Sequence, residues 1–144
     1  MPARFSTDAE VERIGRGLLD RSLPKPEWTH AAHFAAAVWL LRQRGESAVL
    51  TQMPNWIRSY NEATGVANTD RGGYHETITI ASIKAAHKVL VAHGEHVPLH
   101  EVVNALLAGE LGRSGWLLGY WSPARLFSPE ARRHWVDPDL APLP

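Results

Sequence analysis

The chain has 144 residues, 15 basic and 15 acidic, with eight histidines, six tryptophans and no cysteine. That length fits one domain, 1–144, able to bury about two thirds of its unfolded surface without disulfides or metal staples. The missing cysteine excludes thiol catalysis, thiolate metal ligation and a disulfide framework, and agrees with the expected cytoplasmic location; balanced charge argues against nucleic acid or an anionic membrane as partner.

Met1 to Ser6 is too polar for a signal peptide, and no apolar run approaches the roughly 18 residues of a membrane span. The first helix signal is Thr7 followed by Glu10, the spacing of a reciprocal capping box, and Val11, Ile14 and Leu18 carry its apolar stripe to about Asp20. Residues 22–27 hold Pro24 and Pro26 and read as a rigid, non-helical connector. Thr29 is the expected N-cap of a second helix that runs to Arg44, before Gly45. At about 100° per residue, Phe34, Ala37, Val38 and Leu41 centre its apolar face. His30 falls in the middle of that face, and Ala32, Ala36 and Gln43 lie opposite. A third helix over 46–64 repeats Val49, Met53, Trp56, Ile57 and Tyr60, with Pro54 reading as a kink.

Asn68, Asp70, Gly72 and Gly73 mark a sharply turning loop over 66–73. A fourth helix follows from near Tyr74 to His93. Lys84 and Lys88 mark its solvent side, and His75, Thr79, Ser82, Ala86 and Leu90 lie opposite, so the first half of its buried face is polar. Each buried polar group left unpaired costs about 1 to 3 kcal/mol, so those groups must meet partners. A fifth helix spans 99–108, and Leu111 to Trp121 reads as irregular or short helical structure beneath the bundle. Ser122-Pro123 and Ser128-Pro129 match the N-cap serine, first-turn proline pattern of short helices at 123–126 and 129–135. The proline-rich end, 136–144, is expected to be extended and pinned by Leu140 and Leu143. The expected fold is therefore all-α: a bundle of four to five main helices, short C-terminal helices and a tail.

Chain-neighbouring helices joined by short loops run antiparallel, which makes the second and fourth helices parallel and puts their starts at one end of the bundle. That end should gather His30, His33, His75 and Glu76, with Tyr60, Asn61 and Thr64 from the third helix, and His30 should face His75. Three readings follow. In the first, a small-molecule enzyme uses His30, His33, His75 and Glu76 as nitrogen and oxygen ligands for a divalent transition metal such as zinc, iron, manganese or nickel. Its weakness is that His75 and Glu76 are adjacent and diverge by about 100°. In the second, a metal-free acid–base or ligand-binding pocket has His75 as base and Glu76 as its orienter or general acid. There Tyr60, Asn61 and Thr79 would bind substrate against Trp28 or Trp56. In the third, Trp116, Leu117, Leu118, Tyr120 and Trp121 form an exposed patch of a non-enzymatic interaction module, although aromatics at this density usually belong to a core. The expected partner in the first two readings is a small molecule. Arg125, set among Trp121 and Phe127, could fork onto a carboxylate.

Trp28-Thr29-His30 with His33, then Asn68-Thr69 before Gly73-Tyr74-His75-Glu76-Thr77-Ile78-Thr79, then Leu126 to Arg132 and Val136 to Leu140, together resemble a family of small bacterial helical proteins with no known activity. The resemblance covers most of the chain, implies no reaction and assigns no functional residue. A looser analogy runs to four-helix metal-binding bundles of the DinB type, from which this chain departs in histidine spacing.

Overall fold

The computed structural model describes residues 4–144; the first three residues of the polar start lie outside them. Among the described residues there are seven α-helices and no strand: α1 Asp8–Leu19, α2 His30–Arg44, α3 Glu46–Ala63, α4 Glu76–His93, α5 Leu99–Ala108, α6 Pro123–Leu126 and α7 Pro129–Arg133. None is long and apolar enough to cross a membrane.

Local signals explain the boundaries. Thr7 Oγ1 accepts the Glu10 N–H, and the Glu10 carboxylate reaches back to the Ser6 N–H, one residue earlier than a standard capping box. Thr29 Oγ1 accepts the Ala32 N–H at 3.2 Å, and Ser122 and Ser128 cap α6 and α7 in the same way ahead of their prolines. Gly45 and Gly94, at φ 86° and 82°, end α2 and α4 in the left-handed region that costs glycine least. α3 continues through Pro54 as one helix. Two boundaries differ from expectation. Residues Lys25–Glu27 form a single 3-10 turn, because a one-turn helix needs no donor from its Pro26. α7 stops at Arg133, where His134 turns to extended backbone at φ −138°.

The core is built around α2. It packs against α1, α3, α4 and α5, and every residue from Phe34 to Leu41 is buried. Ala32 and Ala36, expected opposite the apolar face, are therefore inside. Four neighbours leave this helix no solvent side between Phe34 and Leu41, and its alanines let them approach closely. At Gly15 of α1 the approach is absolute, since a Cβ there would lie 2.2 Å from the Trp39 ring.

The second and fourth helices run in the same direction. Their first turns line one cavity, and at the far end the Arg42 guanidinium donates to the carbonyls of Val97 and Gly94, just beyond α4, at 2.7 and 3.1 Å. The chain's last quarter is latched onto the start of α4. The fully buried Thr77 hydroxyl lies 2.7 Å from the Ala131 carbonyl and 2.8 Å from that of His134, and it accepts the Val136 N–H at 3.2 Å. Arg132 donates to the carbonyls of Gly73 and Tyr74, and Arg133 pairs with Asp70. Trp116, Leu117 and Trp121 are buried in the core, so the exposed aromatic patch of an interaction module is not formed. Of the two tail leucines, Leu143 packs against the core, whereas the Leu140 side chain is exposed and only its N–H is held, by the Tyr120 carbonyl.

Candidate functional site

The starts of α2 and α4 enclose a cavity of about 340 Å³. Trp28, His30, His33 and Phe34 contribute from the α2 side, Ile78, Thr79 and Ser82 from α4, Met53 and Ile57 from α3, and Ser114, Trp116 and Leu117 from the irregular segment. The volume lies in the range of small-molecule sites, and mostly apolar walls with a few polar groups are the usual composition of such sites. No Asp, Glu, Lys or Arg lines it.

Each of the two cavity histidines is held by one ring nitrogen on a backbone carbonyl. His33 Nδ1 lies 2.6 Å from the Thr29 carbonyl oxygen, one turn back in its own helix start. A carbonyl only accepts, so Nδ1 carries the proton and Nε2 of the neutral ring is a bare lone pair. The ring lies against the Trp28 indole with centroids 3.9 Å apart, and Trp28 in turn contacts the buried Tyr60 ring at 5.2 Å. His33 is accessible to solvent because it lines an open concavity, yet protein crowds around the ring. That desolvation, with a smaller contribution from His30 and against the opposing Thr29 hydrogen bond, holds its pKa below the usual imidazole value. His30 is fixed the other way round. Its Nε2 donates to the Leu111 carbonyl at 2.7 Å, its ring meets Phe34 edge-on, and Nδ1 is the bare nitrogen. Ser82 and Ser114 bring hydroxyl groups to the lining of the same space.

The remaining expected site residues lie elsewhere, and each is committed. His75 is buried and N-caps α4. Its Nε2 donates to the Leu126 carbonyl at 2.7 Å and its Nδ1 accepts the Ile78 N–H at 3.2 Å, so neither nitrogen is free to take a proton from a ligand or to bind a metal. Burial, assisted by the nearby Arg132 charge, holds its pKa below the usual value. His30 and His75 thus do not face one another. Glu76 accepts the Tyr74 hydroxyl at 2.5 Å. Burial, then this carboxylate, pushes that hydroxyl's pKa well above the ordinary tyrosine value. Tyr60, expected to bind substrate, is fully buried and donates to the Leu23 carbonyl at 2.7 Å. Asn61 holds the 66–73 loop by donating to Asn68 Oδ1, an oxygen that also accepts the Tyr74 N–H. Arg125 donates to the Asp137 backbone carbonyl and lines neither cavity.

The four expected metal ligands are therefore not gathered, and among the described residues no group of three His, Asp or Glu side chains is arranged to hold a metal ion. The divergence of adjacent residues at a helix start explains it: His75 turns towards α6, Glu76 back to Tyr74, and the two cavity histidines have no carboxylate beside them. Of the expected site residues, Trp28, His30, His33 and Thr79 meet at one cavity. Ser82 was legible on the buried face of the fourth helix. Ser114, Trp116 and Leu117 were not, because they come from 3-10 turns and loops that carry no periodic signal. No family model, no curated protein and no solved structure matches the chain.

Proposed function

We propose that the cavity between α2 and α4 is a metal-free small-molecule site in which His33 acts as general base. The observation that carries this reading is the His33 imidazole: Nδ1 locked on the Thr29 carbonyl, Nε2 bare, the ring pressed on Trp28 at a cavity lined by no ionised residue. A base must be neutral at working pH, and desolvation keeps this one so.

The ligand it suits is uncharged and largely apolar, with an O–H or N–H directed at Nε2. An ionised group would lose its water in a cavity offering no countercharge. In the proton transfer the ligand's O–H or N–H bond breaks and the proton goes to Nε2. The imidazolium so formed keeps its Nδ1–H on the Thr29 carbonyl, and the electron pair left on the ligand is met by the hydroxyls of Ser82, Ser114 or Thr79. His30 offers a second bare acceptor, which favours a ligand with two donors.

Phenol, indole and benzoate test the reading, with binding followed by tryptophan fluorescence at about pH 7.5. Phenol and indole should bind and quench, benzoate should bind at least about tenfold more weakly, and His33→Phe should remove phenol binding while the fold is retained. Equal binding of benzoate, or unchanged phenol binding in His33→Phe, sinks it.

A further inference from the structure

A second cavity, of about 570 Å³, lies between α4, α5 and the C-terminal tail. Its apolar wall is made by Val89, Leu106, Leu111 and Trp116, and Trp116 also walls the first cavity. Unlike the first, its rim is charged. Lys84 and Lys88 stand on the α4 side and Glu110 on the other, with the Glu110 carboxylate accepting the Tyr120 hydroxyl at 2.7 Å.

The two lysines are differently engaged. The Lys84 ammonium lies over the Trp135 ring, 5.5 Å from its centroid. The Lys88 ammonium donates to the Pro144 backbone oxygen, beside which Leu143 lines the cavity and packs on the core. The tail thus presents a branched alkyl group next to an oxygen acceptor set on one ammonium. His93, also on the rim, fixes its Nδ1–H on the Val89 carbonyl at 2.8 Å.

We infer that this cavity binds an apolar monocarboxylate, an alkyl or aryl-alkyl acid whose body lies along Val89, Leu106 and Leu111 and whose carboxylate displaces the Pro144 oxygen from Lys88. A carboxylate on an ammonium makes a charge-assisted hydrogen bond, and the tail's alkyl group and oxygen occupy the place such an acid would take. The count of rim charges sets the class. With Lys84 set over Trp135, the Lys88 ammonium sharing the rim with one carboxylate, Glu110, suits a single negative charge and opposes a dianion such as a phosphate monoester. The tail's own leucine, Leu143, marks where the ligand's apolar part is accepted.

Decanoate, kept below its micellar concentration, is the probe, with calorimetry on the whole chain and decanol as the uncharged control. Decanoate should bind with one-to-one stoichiometry, and decanol about tenfold or more weakly. Lys88→Gln should weaken decanoate about tenfold and leave decanol unchanged, and Leu143→Ser, which loosens the tail, should tighten decanoate severalfold. The site does not depend on His33, so His33→Phe should bind decanoate as the parent does. No decanoate binding, equal affinity for decanol, or an unchanged affinity in Lys88→Gln overturns the inference. Loss of decanoate binding in His33→Phe with an intact fold would place the probe in the first cavity and overturn it as well.

Discussion

His75 Nε2 donates to the carbonyl of Leu126, 51 residues later in the chain, while the same ring caps α4 through Nδ1. One imidazole therefore fixes a helix start and ties α6 to it, and it does both only when neutral, because protonation removes the acceptor at Nδ1. In the unfolded chain an imidazole titrates near 6.5. In the folded chain His75 titrates lower, by burial first and Arg132 second, and His33 shifts in the same direction by burial. Below about pH 6.5 the unfolded chain then binds protons that the folded chain refuses, so stability falls as pH drops, and the loss is complete once pH passes the folded values. Urea denaturation between about pH 8 and pH 5 should show this slope, shallower in His75→Ala. An equal slope in that variant would assign the acid sensitivity to other groups.

At neutral pH, His75→Ala should also lower stability by about 1 to 3 kcal/mol, since it removes an N-cap and leaves the Leu126 carbonyl without its donor. Phenol affinity should stay within about threefold of the parent, because His75 does not line the cavity. A collapse of binding in a folded His75→Ala would return that residue to the site.

Thr77 makes a sharper case. Replacing it by valine keeps the shape and removes an oxygen that serves Ala131, His134 and Val136 in a fully buried position. Loss of about 1 to 3 kcal/mol is expected, and amide exchange at Val136 should accelerate far more than exchange in the centre of α2. Uniform acceleration would mean that the C-terminal latch and the bundle open together.

Tyr60→Phe separates packing from binding. The hydroxyl is spent on the Leu23 carbonyl, so its removal should cost about 0.5 to 1.5 kcal/mol, and the ring contact with Trp28 should preserve phenol binding. A large loss of affinity with unchanged stability would contradict the assigned role.

The histidine tautomers can be read directly by nitrogen-15 chemical shifts at high pH. His33 should carry its proton on Nδ1, His30 and His75 on Nε2, as their carbonyl partners dictate. The reverse tautomer at His33 would remove the bare Nε2 on which the proposed chemistry depends.

The five main helices were legible because each rests on local chemistry: Thr7 and Thr29 as N-caps of the first two, Gly45 as a stop, and stripes of apolar residues along them. The shared end of α2 and α4 followed from connection lengths alone, and it brought Trp28, His30, His33 and Thr79 together. What failed was direction. A wheel shows the angle of His75 about its helix but not whether the side chain curls back over the helix end, where orphan N–H groups wait, and that is where it went. The same blindness hid α2's enclosure, since Ala32 and Ala36 are neutral in any pattern until the neighbours are placed. The motif from Gly73 to Thr79 looked like chemistry because it is dense in polar residues. It is dense because one loop, one helix start and one C-terminal segment are all fastened there.

The clamp of His30 on the Leu111 carbonyl spans 81 positions of the chain. Leu111 and Trp116 belong to neither histidine's helix, yet without them the first cavity has lost the group that orients one of its imidazoles and one of its walls. During synthesis both histidines emerge early, His33 with the Thr29 carbonyl that aims it, whereas the carbonyl that aims His30 emerges late. A ribosome-bound chain ending before residue 111 therefore carries both imidazoles and lacks the partner of one.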